Sequence, residues 1–305
     1  MTCTRRSKRE EVGGFLSREI IENQGIRQGG LTSTECFKSK SNNMITSLSH
    51  HPTAFRIGSI AVGAPTTADD TALISDTVVG AKTLIGIAEL DANQQRYSFN
   101  TTKTKSMVIN PKSTTWKPDI TLNQEPVDDS RKEKQLGIQR TVNGSSLPTI
   151  EERISSSRKA VYSLAGAGLY GLNGTGPKVS LRMVRLYIIP ILIYGLEALV
   201  IKKAEMEVLE KYYRSLIRQL QHLPENTAKP AIYLLSGCTP IEGQVHIRML
   251  TFLGSIARNR SSVDFQIVFR QLCMKNTMSN SWTTQIRTIC NTYELPSPFE
   301  IIRNN

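Results

Sequence analysis

The stretch GAPTTADDTALI, residues 63–74, sets two adjacent acidic residues inside a segment of small, apolar and β-branched residues. Two acids interrupt a strand most readily where a tight turn exposes them. The sequence therefore predicts a β-hairpin with Asp69 and Asp70 exposed together at its tip. Adjacent carboxylates can hold Mg²⁺ together with substrate phosphates, although an acidic pair in a surface turn is also commonly structural.

Helices are predicted on both sides of this hairpin. The residues Thr32 to Glu35 form a capping box, which announces a helix over 33–49. A second helix is predicted over 77–95 from the spacing of its apolar residues. Between the first helix and the hairpin, the β-prone residues from Phe55 to Val62 predict a strand region.

Short strands are predicted after the second helix. Residues 97–100 and 106–110 have strand character, and we expect them to pair across the intervening turn. A further small β element is predicted from 120–122 and 135–142, with a turn signal at Asn143-Gly144. The first half of the chain is therefore α+β in character.

The second half of the chain predicts helices. Apolar residues recur at helical spacing, with Lys and Arg between them, over 150–170, 177–200, 203–222, 227–236 and 240–258. The most apolar run, Leu186 to Ile201, contains Pro190 and Gly195. It is shorter than the about 18 uninterrupted apolar residues of a spanning helix and predicts a buried helix pair or a kinked helix.

Composition points to a globular protein with a polyanionic partner. Hydrophobic residues make up 39% and charged residues 21% of the 305 residues, and the formal net charge is +12. A basic excess spread over many segments favours nucleic acid, because neutralising phosphates supplies most of its non-specific affinity. A solvated basic surface without a ligand would have the same composition.

The cysteines and the N-terminus favour an intracellular protein, in the nucleus or the cytoplasm. The five cysteines are scattered and form no C-x-x-C pair, so they predict neither a zinc module nor a disulfide framework. No apolar stretch follows the basic residues near the N-terminus, so no secretory signal is predicted.

Four short motifs follow one another along the first half of the chain. They are QGIRQGGLTS at 24–33, GAPTTADD at 63–70, FNTTKTKSMVI at 99–109 and LGI at 136–138. Their order and spacing resemble the second to fifth palm motifs of reverse transcriptases of LINE-type, non-LTR retrotransposons. Those motifs read approximately GVRQG…S, ADD, N-x-x-KT-K and LG. Thr67 stands here where the family commonly has an aromatic residue.

The resemblance implies roles for individual residues. Asp69 and Asp70 correspond to the family's metal-binding pair, which would hold Mg²⁺ in an active enzyme. Lys103 corresponds to a lysine that assists pyrophosphate departure by its charge or as a general acid, and Gly137 to a turn near the primer strand. The residues that correspond to the template and nucleotide pocket are Arg27, Gln28, Gly29 and Gly30.

The resemblance continues into the helical half. The segments 188–197 and 209–224 resemble thumb helices of the same elements. On the second segment aromatic and basic residues alternate, and they could follow a duplex backbone or form a core edge and a solvated face. These residues are Tyr212, Tyr213, Arg214, Arg218 and His222.

The implied fold is a partial right-hand polymerase palm followed by an all-helical, thumb-like region. The expected domains are a non-matching segment over 1–23, the palm over 24–149, the helical region over 150–260 and a segment of unknown role over 261–305. The implied function is a fragment of an RNA-directed DNA polymerase. Its partners would be an RNA template, an RNA–DNA duplex and deoxynucleotides, with no membrane.

An essential part of the implied active site is missing from the sequence. The family's first palm motif supplies a third carboxylate, but no Asp precedes Asp69. We therefore expect a chain that lacks the fingers and the first palm motif and is inactive alone. Two alternatives remain open: a catalytically dead nucleic-acid-binding protein, and an unstable product without function.

Overall fold

The fold consists of two compact units, Met1–Phe99 and Asn100–Asn305. Residue 149, where the sequence predicts the change to helix, lies inside the second unit. The computed structural model describes residues 6–8, 11–12, 15–16, 18, 20–22, 33–111, 118–166, 168, 174–274 and 279–304.

The first unit contains two long helices and several short strands. Its elements are β1 Arg6–Lys8, β2 Glu11–Val12, β3 Phe15–Leu16, β4 Ile20–Glu22, α1 Ser33–His50, β5 Arg56–Ile57, β6 Ile60–Ala61, β7 Thr66–Thr67, β8 Asp70–Thr71 and α2 Val78–Gln95. Both predicted helices are confirmed. α2 begins at Thr77, whose hydroxyl accepts a bond from the Gly80 N–H, and ends at Arg96 in the left-handed conformation.

Two consecutive hairpins occupy the segment between α1 and α2. β5 pairs antiparallel with β6, and β7 with β8. The backbone of Ile74 joins the hairpins, because its carbonyl accepts from the Phe55 N–H at 2.9 Å and its N–H donates to Gly63 at 2.8 Å. Only glycine fits at 63, since a Cβ there would lie 2.3 Å from the Ala54 Cβ. The predicted strand regions are confirmed.

The helices of the first unit pack on these hairpins through a small apolar core. α1 and α2 contribute to it, and so do the two segments that flank the first hairpin. Its buried residues are Met44, Leu48, Ala54, Ala64, Leu84 and Ala88. Leu73, from the far side of the β7–β8 hairpin, is half-buried against the same cluster and so attaches the acidic hairpin to it.

The second unit begins with short strands. These are β9 Lys105–Ser106, β10 Thr121–Leu122, β11 Glu125–Pro126, β12 Asp128–Asp129, β13 Lys132–Gln135 and β14 Ile138–Thr141. β10–β11 and β13–β14 are antiparallel hairpins, whereas β9 pairs parallel with β12. The predicted pairing of 97–100 with 106–110 is wrong. Asn100 instead starts a turn, accepting the Lys103 N–H on its side chain and the Thr104 N–H on its carbonyl.

Helices make up the rest of the second unit. They are α3 Leu147–Gly166, α4 Pro177–Met183, a π-helical turn Val184–Ile188, α5 Ile189–Leu192, a 3₁₀ turn Leu196–Ala198, α6 Lys203–Leu220, α7 Lys229–Ser236, α8 Ile241–Arg258, α9 Val263–Met274, α10 Trp282–Thr292 and α11 Pro298–Asn304. The predicted helical character after residue 150 is confirmed.

The most apolar segment is helical, and its helical geometry changes just before Pro190. Pro190 has no N–H and cannot donate to the carbonyl one turn earlier. The helix widens just before it, and the Ile189 N–H reaches back to the Val184 carbonyl. The helix ends at Leu192, and Gly195, with φ of 77°, directly precedes the 3₁₀ turn.

One continuous core joins the helices of the second unit. α3, α6 and α8 contribute buried side chains such as Ile150, Leu209 and Met249. The three C-terminal helices, within the segment 261–305 for which the sequence predicted no role, add Leu272 and Ile302 among others to the same core. The structure therefore combines helices and strands in the first half with a helical second half. Within the ranges that it describes, no helix is both long and apolar enough to cross a lipid bilayer.

Candidate functional site

The two candidate metal ligands lie at the β7–β8 turn. Thr67 pairs with Asp70 across the hairpin, so Ala68 and Asp69 form a two-residue loop. Both carboxylates are exposed. The hairpin predicted from the sequence is therefore confirmed, with both acids at its tip.

The charge of this acidic pair is not neutralised by a described neighbour. No Lys or Arg that the structure describes forms an ion pair with Asp69 or Asp70. The chain has another Asp-Asp pair, Asp128-Asp129. There Lys105 Nζ lies 2.6 Å from Asp128 Oδ2, and the hydrogen bond from Lys105 lowers the pKa of Asp128. The two acidic pairs thus differ in their freedom to bind a cation.

The hairpin by itself offers an incomplete set of metal ligands. Over the described ranges, no three or more His, Cys, Asp or Glu side chains are grouped so that they could hold a metal ion. Asp69 and Asp70 could supply two oxygen ligands, and Mg²⁺ commonly takes the others from water and substrate phosphates.

Lys103 lies in the turn that Asn100 organises. The Asn100 side chain accepts the Lys103 N–H at 3.0 Å and the Thr102 hydroxyl at 2.7 Å. The Lys103 side chain is exposed. The position of Asn100, three residues before Lys103, is therefore explained locally. Its side chain shapes the turn on which the Lys103 ammonium group is exposed. Lys103 and Gly137 belong to the second unit, and Asp69 and Asp70 to the first.

Gly137 lies in the β13–β14 turn, with φ of 79°, and is packed closely. Its carbonyl accepts a hydrogen bond from the Arg153 guanidinium, which lies 4.9 Å from the centre of the Tyr194 ring. The Tyr194 hydroxyl donates to the Leu136 carbonyl at 3.3 Å. A Cβ at Gly137 would lie 3.1 Å from both Arg153 Nη2 and Tyr194 Cε1. Gly137 is therefore required by the packing of this turn against α3 and Tyr194.

The aromatic and basic residues of α6 do not form one surface. Tyr213 is buried in the core at 1% exposure. Arg214 lies 2.6 Å from Glu207 and 3.3 Å from the buried Glu210, and Arg218 donates to the Glu225 carbonyl. Of the two interpretations that the sequence left open, the core edge applies to Tyr213 and Arg214, because both are engaged inside the unit.

A groove between α3 and α6 was not predicted from the sequence. Its volume is about 420 Å³, and Arg158, Tyr162, Lys211 and Tyr212 are among the residues that line it. The one sequence signal for this groove was the spacing of Arg158 and Tyr162, four residues apart, which places both on one face of a helix. Only the packing of α3 on α6 shows that these residues face Lys211 and Tyr212.

The candidate pocket residues Arg27, Gln28, Gly29 and Gly30 lie outside the described residues, as does Thr32 of the predicted capping box. No model of a known protein family matches the chain, and no curated protein matches it.

Proposed function

We propose that this chain is part of an RNA-directed DNA polymerase of a non-LTR retrotransposon. In this proposal the first unit and the strands that follow it correspond to part of a right-hand palm, and the later helices to a thumb. The observation that carries the proposal is the β7–β8 hairpin. It exposes two adjacent carboxylates, and no described Lys or Arg forms an ion pair with them. The order of the four sequence motifs supports the proposed reaction, RNA-directed DNA synthesis.

The residues have defined roles in this proposal. Asp69 and Asp70 would bind Mg²⁺, which when bound supplies Lewis-acid stabilisation of the attacking and leaving oxygens. Lys103 would assist departure of pyrophosphate by its positive charge or as a general acid. Arg27, Gln28, Gly29 and Gly30 would contact template and deoxynucleotide, and Gly137 would hold the turn beside the primer strand.

Metal binding at the hairpin is the direct test. We expect the chain to bind Mn²⁺, a spectroscopic substitute for Mg²⁺, measured by loss of the free-ion signal in electron paramagnetic resonance. The double variant Asp69→Asn with Asp70→Asn should weaken binding by about tenfold or more, because ligand charge sets the affinity of such sites.

The matched control removes the same charge from the other acidic pair. Asp128→Asn with Asp129→Asn should leave Mn²⁺ affinity almost unchanged, since Lys105 already neutralises Asp128. If both double variants weakened binding equally, general electrostatics would explain the result and the proposal would lose its support.

Synthesis by the chain alone is not expected. Two-metal catalysis requires a carboxylate that both ions share, and no Asp precedes Asp69 in the sequence. We expect no extension of an oligo(dT) primer on poly(rA) with Mg²⁺ or Mn²⁺. Template-dependent incorporation that disappears in Asp69→Asn would show that the active site is complete after all.

A nucleic-acid-binding protein without polymerase activity is the second candidate. One observation favours it: among the residues that the structure describes, no further His, Cys, Asp or Glu is grouped with Asp69 and Asp70 to complete a metal site. Absence of Mn²⁺ binding in a folded sample that still binds RNA would favour this candidate over the first.

A further inference from the structure

The groove between α3 and α6 combines aromatic, basic and apolar surfaces. It measures about 420 Å³, within the range of pockets that take small ligands. Its residues come from two helices of one compact unit. They are Ile154, Arg158, Val161, Tyr162, Val208, Lys211, Tyr212, Ser215, Leu216 and Gln219.

One wall of the groove is held in place by contacts within the unit. The hydroxyl groups of Tyr212 and the fully buried Ser157 are hydrogen-bonded at 2.9 Å. The Arg158 guanidinium lies 5.4 Å from the centre of the Tyr212 ring. Burial raises the pKa of the Tyr212 hydroxyl above its ordinary value. These contacts hold the Tyr212 ring in one orientation along the groove.

Another part of the groove is open to solvent. Tyr162 is 69% exposed, although it lies on a helix whose opposite face is buried. Val208, across from α3, is 40% exposed. A ring that is exposed beside an apolar floor offers a flat surface on which a planar ligand group can stack.

The charge of the groove is positive. Arg158 and Lys211 line it, and none of its lining residues is acidic. The nearest acidic residues along α6 are occupied elsewhere: Glu207 pairs with Arg214 and Lys229, and Glu210 is buried. The groove therefore complements an anionic ligand.

We propose that this groove binds single-stranded RNA, with a base stacked on Tyr162 and the adjoining phosphates beside Arg158 and Lys211. Stacking on an aromatic ring requires an unpaired base, which a duplex does not offer. An acidic peptide would satisfy the charges but would leave the Tyr162 ring without a planar partner. Ser215 and Gln219 supply hydrogen-bonding groups for a ribose 2′-hydroxyl, the group that separates RNA from DNA.

This inference names a binding site for the RNA that the proposed function already includes, and it can fail separately from metal binding at the hairpin. RNA would bind in the groove even if Asp69 and Asp70 held no metal. Conversely, loss of RNA binding at the groove would leave the Mn²⁺ test at the hairpin unaffected.

The test is fluorescence anisotropy with a short fluorescein-labelled oligouridylate and the full chain, over a series of salt concentrations. Tyr162→Ala should weaken binding by about tenfold or more, as expected when one stacked base loses its platform. Lys211→Gln should reduce the slope of log affinity against log salt by about 0.7, the value for one phosphate of a single strand.

Matched variants outside the groove serve as controls. Tyr187→Ala removes another exposed tyrosine, on the π-helical turn, and Arg258→Gln removes one positive charge at the end of α8. Both should leave the affinity and the salt slope near those of the unchanged chain. Circular dichroism should show the same unfolding temperature for all four variants, since the replaced side chains are exposed.

Further measurements distinguish RNA from DNA and from an acidic peptide as the ligand. A deoxyuridine oligonucleotide of the same length should bind more weakly than RNA, and Gln219→Ala should reduce this difference. The proposal is overturned if Tyr162→Ala and Tyr187→Ala weaken RNA binding equally. It is also overturned if DNA binds as tightly as RNA, or if an oligoglutamate displaces the RNA at equal charge concentration.

Discussion

Ala68 adopts the left-handed backbone conformation, with φ of 54°, next to the two candidate metal ligands. A non-glycine residue in this region costs about 1–2 kcal/mol. A two-residue hairpin loop nevertheless needs positive φ to match the twist of its strands. Here this strain belongs to the turn that exposes Asp69 and Asp70.

Gly195 is a residue at which both conformation and space require glycine. Its φ is 77°, and a Cβ would lie 2.9 Å from Ile138 Cγ1. We expect Gly195→Ala to lower the free energy of unfolding by about 2–4 kcal/mol, from backbone strain and overpacking together. Gly237→Ala is the control: φ is 60° there and a Cβ would meet nothing within 4 Å.

The control isolates the contact with Ile138. Gly237→Ala should cost about 1–2 kcal/mol, the backbone contribution alone. Both values are obtained from urea unfolding followed by circular dichroism. Equal losses in the two variants would mean that the 193–196 turn does not pack tightly on β14.

His246 gives the second unit a defined pH dependence. Burial lowers the pKa of His246 below its usual 6.5. The charge of Glu242 opposes this shift; Glu242 Oε1 lies 4.0 Å from His246 Nε2. Below about pH 6.5 the unfolded chain therefore binds more protons than the folded chain. We expect the free energy of unfolding to fall as the pH drops from this value through the pKa of the folded state.

Replacement of His246 should reduce this pH dependence. Glutamine can retain a hydrogen bond to the Tyr293 hydroxyl, which lies 3.0 Å from His246 Nδ1. We expect His246→Gln to show a smaller difference between urea unfolding at pH 5.5 and at pH 7.5. A variant with the full difference of the unchanged chain would assign the effect to other groups.

At the scale of elements, α6 organises the second unit through a buried acid. Glu210, 6% exposed, accepts hydrogen bonds from Arg214, from the Tyr233 hydroxyl of α7 and from the Glu242 N–H of α8. Burial, with the hydrogen bond to Glu210, raises the pKa of Tyr233. One carboxylate thus connects three helices, and its partners would lose their acceptor without it.

Removal of this carboxylate should be strongly destabilising. We expect Glu210→Ala to lower the free energy of unfolding by about 3 kcal/mol, the usual result when one partner of a buried charged network is removed. Glu207, the other acid beside Arg214, has a side chain that is 58% exposed. Glu207→Ala should therefore lower the free energy of unfolding by about 1 kcal/mol or less. Urea unfolding measures both, and the reverse order would contradict the role assigned to Glu210.

At the scale of the whole molecule, the two units differ in the extent of their cores. The core of the first unit is a small cluster around α1 and α2, whereas that of the second unit runs from β14 to α11. The β13–β14 hairpin belongs to the larger core. The Gln139 N–H donates to the Thr149 hydroxyl at 3.1 Å, and the Gly137 carbonyl accepts from Arg153.

Limited proteolysis should reflect this difference. We expect the first cuts within residues 1–99 and a resistant fragment that begins before Lys132, because the hairpin is bonded to α3. The domain boundary expected from the sequence, between residues 149 and 150, would instead give a fragment that starts near Ile150. Mass spectrometry of the fragments distinguishes the two, and equal digestion of both units would contradict either boundary.

The sequence by itself determined the elements whose signals are local. Apolar spacing specified α2, Pro190 indicated the interruption of the most apolar helix, and the acids between β-branched residues specified the β7–β8 turn. Each of these depends on interactions within a few residues, which the order of the chain contains directly. The resemblance to reverse-transcriptase motifs depends on the same short stretches.

Tertiary structure alone decided which side chains meet. The alternation of aromatic and basic residues on α6 could not show that Tyr213 enters the core or that Arg214 pairs with Glu210. It also could not show that Tyr162 and Lys211 share a groove, or that β9 pairs in parallel with β12. The physical reason is that burial and pairing depend on partners distant in the chain, and a local pattern does not specify those partners.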